Sequence, residues 1–458
     1  MNEDHKMFYH ALNIRQDLCI GCTHCMKVCP TEAIRIKSGK AILFEQKCVD
    51  CGECFRACPV CAIIVEQDDF DKIFEYPIRM ALLPSVFTGQ FPEEITIEEI
   101  YSELMELGFT HVYEVDHGAE ILLDVQEQFV KDHAESKPVI SPYCPAIVRL
   151  IQVKFPALVE NLLLIKPPVD IAAMYNRRKF MDAGYSSGEI GLFYVTPCAA
   201  KIAAVKSPVG EDFSEVTGVI NMNYLFNKVY TSIKQSKKES CQLPNRKVMK
   251  DKCIVWSLTR GESDNISGRS LAIDGIHNVI EFLEKIETEE NPDIDFLELR
   301  ACDESCAGGI LASGNRFLTV ERLHHRADAA GKRLMKGLKD TDSVLHYSDY
   351  LISHLKLGKV KPRSMMKLDD DMVEAIRKVK KVHELMLFLP NVDCGICGCP
   401  SCSALAEDIV QGRGTIGQCM FVQRTLEERK IYSREESMNA LNETWSSNKF
   451  SRKWLLNL

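Results

Sequence analysis

Cysteine is the residue with most chemistry to offer in this chain of 458 residues, which holds twenty of them. Cys19, Cys22 and Cys25, with Cys29 ahead of Pro30, form a C-x2-C-x2-C-x3-C-P run, and Cys48, Cys51, Cys54 and Cys58 ahead of Pro59 repeat it. In such a run three close thiolates clasp one 4Fe-4S cubane while the fourth, ahead of proline, crosses to the neighbouring one. The spacing therefore assigns Cys19, Cys22, Cys25 and Cys58 to one cluster, and Cys48, Cys51, Cys54 and Cys29 to a second. A zinc ribbon would show paired rather than tripled cysteines. Cys61 is left over and is expected to be a small buried hydrophobe.

A second group is Cys394, Cys397, Cys402 and Cys419, set among glycines that let backbone approach a cubane closely. A helix from Ser403 would point its N-terminus at that anionic group. The segment resembles the single-cluster Fe-S domain attached to several anaerobic redox enzymes, whose four ligands match these positions; zinc stays open as the alternative, and Cys399 is surplus. The third group is dispersed: Cys144 in Ser141-Pro142-Tyr143-Cys144-Pro145, Cys198 in Thr196-Pro197-Cys198-Ala199-Ala200-Lys201, and the pair Cys302 and Cys306 ahead of Gly308-Gly309. Cys144 and Cys198 each follow an apolar, strand-like run, where an α/β sheet presents ligands at its carboxyl edge. Taken singly, Cys144 and Cys198 would read as buried structural cysteines; three such motifs together read as the holder of a further cubane.

These three motifs resemble the signature loops of the catalytic domain of iron-iron hydrogenases, over about 280 residues that include Leu83-Pro84-Ser85-Val86 and Gly108-Phe109-Thr110-His111-Val112-Tyr113. The resemblance implies that Cys144, Cys198, Cys302 and Cys306 bind the cubane of an H-cluster, with Cys306 bridging to a two-iron subsite that carries CO, cyanide and a dithiolate amine. It implies that Lys201 donates to one cyanide and that Pro84 and Ser85 lie beside the other. Where fast members carry a proton-relay cysteine this chain has Tyr143, where they carry a relay serine it has Leu163, and two loop methionines are replaced by Thr196 and Arg300. A phenol is a poorer relay than a thiol near neutral pH. These departures resemble the slower, sensory branch of the family. Glu262 and Glu298, each taken to lie near a strand end, are the candidates for a substitute proton route, with surface carboxylates as the competing explanation.

The elements that must position these groups are legible in outline. From residue 76 to 357 short β-rich runs alternate with helical stretches: Ile78 to Leu83, His111 to Val115, Val139 to Ser141, Leu192 to Thr196, Cys253 to Leu258 and Leu297 to Ala301. Alternation of this kind predicts an α/β domain with a largely parallel sheet. With the resemblance, the expected organisation is an α+β bacterial-ferredoxin-like domain over 1–70 and an α/β catalytic domain of two mixed, largely parallel sheet lobes flanked by helices over 76–357. A linker over 358–371, a small helical 4Fe-4S domain over 372–425 and a C-terminal helix and tail over 426–458 complete it. Met372, Val373, Ile376, Val379, Val382 and Met386 recur at helical spacing and predict a buried helix face. The stretch from Leu426 to Trp445 predicts one solvated amphipathic helix.

A net charge of −9 argues against a nucleic-acid surface, which needs clustered Lys and Arg. No apolar run approaches the ~20 residues that span a bilayer, and the N-terminus has no apolar leader segment. The expectation is a cytoplasmic protein of a reducing, anaerobic interior, since exposed thiolates oxidise readily. The resemblance implies three 4Fe-4S clusters feeding an H-cluster, reversible conversion of protons and electrons to hydrogen, a ferredoxin or similar electron carrier as partner, and maturation proteins. Two other readings stay open. The same site could serve slow hydrogen or redox sensing through a downstream signalling protein, or the chain could be an Fe-S electron-transfer or assembly protein that never receives the two-iron subsite.

Overall fold

The computed structural model describes residues 8–132, 137–235, 249–288, 293–335, 344–363, 368–369 and 371–446. The chain divides into two compact units, one of residues 1–11 with 66–362 and the other of residues 12–65 with 363–458. The segments of the second unit, expected as separate domains, are thus one body.

That unit begins with β1 (Leu12–Ile14), β2 (Ile34–Lys37), β3 (Lys40–Leu43) and β4 (Ile63–Val65), where β1 pairs antiparallel with β4 and β2 with β3. Its far segment supplies the helices Met372–Met386, Cys402–Val410, Met420–Glu428 and Arg434–Trp445. The two segments are joined by backbone: Ile36 N–H donates to Gly398 O at 2.8 Å, and Ser38 N–H to Glu443 O at 2.8 Å. They are also joined by charge, Arg35 Nε donating to Asp408 Oδ2 at 2.7 Å with both side chains 1% exposed. Asp408 also pairs with Arg413 at 3.0 Å, so it is loss of Asp408 that strands a buried charge, Arg35, at about 3–5 kcal/mol.

The first unit is the α/β body. β5 (Ile78–Leu83), β6 (His111–Glu114), β7 (Val139–Ile140), β8 (Ile190–Thr196), β9 (Gly218–Asn221), β10 (Ser270–Asp274) and β11 (Phe296–Arg300) form two sheets, in the orders β6-β5-β8-β9 and β10-β11-β7. Every pairing in both is parallel, so the mixed character expected of the lobes is absent among the described residues. β8 and β11 are buried along their whole length, as strands covered on both faces must be.

Four further expectations are corrected. Cys253 to Leu258 is a short helix, Asp251–Ile254, and turns rather than a strand; a buried apolar run that short does not declare its own conformation. β9 and β10 were not foreseen. Met372, Val373, Ile376 and Val379 are 78%, 76%, 63% and 41% exposed; only Val382 and Met386 at the far end of that stripe pack against Leu389, Leu405 and their neighbours. The stretch from Leu426 to Trp445 breaks at Lys430, whose φ of 57° ends one helix before the Ser433 capping box starts the next. Cys61 is exposed, at a φ of 50° on the turn after Cys58, rather than buried. Residues 447–458 of the expected tail lie outside the described residues.

Candidate metal centres

In the second unit the duplicated run folds as two copies of one motif. Ala33 N–H donates to Cys29 Sγ and Ala62 N–H to Cys58 Sγ, both at 3.2 Å. Cys58 lies near Cys25, and Cys29 lies near Cys48, Cys51 and Cys54. Burial, then Cys19, Cys22 and Cys58 push the Cys25 thiol up to about 12. Cys48, Cys51 and Cys54 are each raised by burial and by Cys29 among their neighbours. Thiols gathered so closely repel one another as thiolates unless a cation lies between them, and a bound metal reverses the balance.

Cys394, Cys397, Cys402 and Cys419 line one small cavity with Asp393, Gly395 and Leu405. Two helix N-termini face it. Cys402 opens the helix Cys402–Val410 and donates its backbone N–H to Asp393 Oδ1 at 2.6 Å, and Cys419 is the N-cap of Met420–Glu428. Cys399, surplus to the spacing, is buried beside Cys397; the contact lowers the Cys397 thiol to about 7 and raises its own, and its Sγ lies 3.6 Å from Asp408 Oδ2.

In the first unit the carboxyl ends of both sheets deliver the dispersed motifs. β5 runs into Pro84 and Ser85, and β8 into Cys198, which is the N-cap of the helix Ala199–Lys206. β7 leads to Cys144, N-cap of the helix Pro145–Lys154, and β11 leads directly into Ala301 and Cys302. The turn from Cys302 to Cys306 places Glu304 and Ser305 at positive φ. Asp274, the last residue of β10, holds that turn by accepting from the Ser305 backbone N–H at 2.9 Å. A Cβ at Gly309 would stand 2.5 Å from Pro197 O, so glycine is what lets the Cys306 and Cys198 loops meet.

Lys201 reaches back from its helix. Its Nζ is 3.4 Å from Cys306 Sγ and 3.4 Å from Tyr143 Oη, with Tyr143 Oη 3.8 Å from the same sulfur. Burial opposes the ammonium, but Cys306 and Tyr143 outweigh it and hold its pKa above the usual lysine range. Burial and Cys306 raise the Tyr143 phenol, and burial pushes Cys198 up to about 12. Pro84 and Ser85 lie at the end of β5, where Ser85 N–H donates to Asp116 Oδ2 at 2.5 Å. Burial pushes the Asp116 carboxyl up to about 6.

Behind Tyr143 is a charge cluster. Arg300 donates to Glu262 Oε2 at 2.5 Å and lies 3.5 Å from Glu298 Oε1. Glu262 also accepts from Ser141 Oγ at 2.8 Å and from Gln126 at 2.8 Å, while Glu298 Oε2 accepts the backbone N–H groups of Glu262 and Ser263. Glu262 and Glu298 are 1% and 0% exposed, so they are not surface carboxylates. Neither sits at a strand end, a correction to the expectation: Glu262 follows a turn and Glu298 is the central residue of β11. Burial raises the Glu298 carboxyl, which Arg300 pulls back. Leu163 is fully buried beside β7, its N–H bonded to Ile140 O at 2.9 Å. Asp116, Ser141, Gln126 and Asp274 escaped the sequence reading; a lone polar residue at the end of an apolar run was the available signal for Asp116, Ser141 and Asp274, and Gln126 gave none.

The donor set is what an anionic thiolate-held metal group requires: four thiols from three loops, a buried ammonium against one of them, and Ser85 Oγ, buried with no hydrogen-bond partner among the described residues. No helix among the described residues is long and apolar enough to cross a membrane.

Three family models match the chain: residues 79–254 match "Iron only hydrogenase large subunit, C-terminal domain", residues 18–63 match "4Fe-4S dicluster domain", and residues 389–421 match "Putative Fe-S cluster". No curated protein matches. Similar solved structures include a [FeFe]-hydrogenase HydA1 variant from Chlamydomonas reinhardtii, at 13% identity and TM-score 0.48, covering 63% of this chain and 96% of that one. Another is the HydA(deltaEFG) structure of stepwise [FeFe]-hydrogenase H-cluster assembly, at 14% identity and TM-score 0.47, covering 63% and 95%. Residues 79–254 are thus similar to the C-terminal domain of the iron-only hydrogenase large subunit, residues 18–63 to a 4Fe-4S dicluster domain and residues 389–421 to an Fe-S cluster segment.

Proposed function

We propose that this protein activates hydrogen reversibly, combining protons and electrons to hydrogen or the reverse, and that it does so slowly in a hydrogen- or redox-sensing role. The observation that carries the reading is the buried triangle of Lys201 Nζ, Cys306 Sγ and Tyr143 Oη, with sides of 3.4, 3.4 and 3.8 Å, at the carboxyl ends of two parallel sheets. Cys144, Cys198, Cys302 and Cys306 would hold the cubane of the H-cluster, and the other twelve ligand cysteines three accessory 4Fe-4S clusters that relay electrons. When bound, the two-iron subsite supplies the redox centre at which hydrogen is made or split.

The chain's own groups do the rest. Lys201, a compact cation kept charged by its neighbours, would fix an anionic ligand by direct donation. Tyr143 stands where a proton must pass, and its raised pKa keeps it a reluctant donor, which suits slow turnover. Glu262 and Glu298 are the carboxylates behind it, both held against Arg300. The partners fitting this reading are a ferredoxin-like electron carrier, maturation proteins that install the subsite, and a signalling protein for output.

Treatment of the purified chain with the maturation machinery followed by infrared spectroscopy tests the proposal: bands of CO and cyanide are expected, with hydrogen-dependent changes. The hydrogenase family match ends at residue 254, before the Cys302 and Cys306 loop, and this favours one rival, an Fe-S electron-transfer or assembly protein. Four cubanes without CO or cyanide bands would establish that rival instead.

A further inference from the structure

We infer that Asp170 is a proton port, carrying protons between solvent and the cavity that holds Tyr143 and Lys201. The inference rests on the hydrogen-activating reading above and adds the solvent end that the Glu262 and Glu298 pair lacks. The side-chain partners of Glu262 are Gln126, Ser141 and Arg300, all three 2% exposed or less. A proton held there has no exposed group to come from.

The other approach to Tyr143 is open. Tyr143, Lys201 and Tyr194 line one cavity, and Arg149, Leu163 and Leu357 line a second. The two share a wall, and the only ionisable residues on it are Asp170 and Glu211. Asp170 sits in the first turn of the helix Pro168–Asp182, two residues after Pro168. Its carboxylate makes no hydrogen bond to any described residue. Burial pushes its pKa up to about 6, with Lys166 pulling it down and Glu215 pushing it up. Glu211 is ion-paired with Lys166 and its side chain is 24% exposed, which makes it the end of the chain that meets water. The facing charges are therefore Lys166, Glu211, Glu215, Lys201 and Arg149, together with the phenols of Tyr143 and Tyr194.

A carboxylic acid poised near 6 takes a proton from the Glu211 side, releases it into the Tyr143 and Lys201 cavity and is recharged from solvent. Each transfer breaks one O–H bond and makes another, with no change in the protein's redox state. Carriers work best when their pKa lies near the operating pH, and a positioned one is worth 10²–10⁴ in rate. Asp170 is partly exposed and lines both cavities, whereas Glu262 is fully buried.

The test uses the full chain, before and after maturation. In the unmatured protein, infrared difference spectra against pH should show a protonated-carboxyl C=O stretch that titrates near 6 and is missing in Asp170→Asn. In the matured protein, Asp170→Asn should lose tenfold or more in hydrogen turnover and flatten the acid limb of the pH profile while the CO and cyanide bands stay in place. Asp170→Glu, which keeps the carboxyl, should recover most of the rate. An Asp170→Asn protein with intact bands and the parent's rate and pH profile overturns the port. Parent protein without those bands overturns the hydrogen-activating reading itself, so the two failures are distinct.

Discussion

Arg300 lies against the ring of Tyr143, its guanidinium carbon 4.1 Å from the ring centroid, while the same guanidinium neutralises Glu262 and Glu298. Lys201 Nζ is also close to that ring, 4.4 Å from its centroid. The phenol is thus located by two cations, one of which is itself anchored by two buried carboxylates. Desolvated cation–ring contacts are worth ~2 kcal/mol each, enough to hold one rotamer.

The first prediction follows from that anchor. Arg300→Met leaves two carboxylates buried without a counter-charge, and should cost about 3–5 kcal/mol of stability. The double variant Arg300→Met with Glu262→Gln should recover part of the loss, because the sites are coupled. Thermal unfolding of the set measures both, and an additive result would refute the coupling.

Proton transfer gives a second. Glu262→Gln and Glu298→Gln should each lower hydrogen turnover by roughly tenfold or more with the CO and cyanide bands unchanged. Tyr143→Cys should change the rate modestly, since the buried Leu163 still closes the path that a relay serine would open. Turnover equal to the parent's in both glutamine variants would leave the Asp170 side as the sole carboxylate route.

Iron content is the third. Chain purified without maturation should bind about 16 irons as four cubanes, from sixteen cysteines in groups of four. Cys61→Ser, Cys253→Ser and Cys399→Ser should keep all four by iron analysis and electron paramagnetic resonance; Cys241, also expected to be dispensable, lies outside the described residues. Chelation of iron should destabilise the second unit most, because twelve of the sixteen expected ligand cysteines lie in it.

Asp116 supplies a pH dependence. Its folded pKa of about 6 lies above the unfolded value near 3.9, so the folded state binds more protons between them and stability falls as pH rises through that window. Between pH 5.5 and 7.5 this amounts to about 1 kcal/mol. Asp116→Asn, which can still accept from Ser85 N–H, should show a correspondingly smaller drop in unfolding temperature over the same interval. An unchanged drop would mean that the carboxyl is charged throughout.

What sequence alone determined is the local chemistry. The C-x2-C-x2-C-x3-C-P runs place ligands within a few residues of each other, where chain geometry leaves little freedom. Strands β5, β6, β8 and β11 were legible because a buried parallel strand needs an apolar run bounded by breakers. Tertiary structure decided what depends on residues far apart. That Arg35 and Asp408 meet, 373 positions apart, and bind two segments into one unit left no trace in either local pattern. The exposed half of the stripe from Met372 shows the same limit, since periodicity says that one helix face is apolar and not what covers it. Glu262 and Glu298 could be named from sequence, but their burial around Arg300 could not, because ion pairing is a property of the folded surroundings. Asp170 reads in sequence as an ordinary first-turn helix carboxylate, and only the two cavities that share it give it a role.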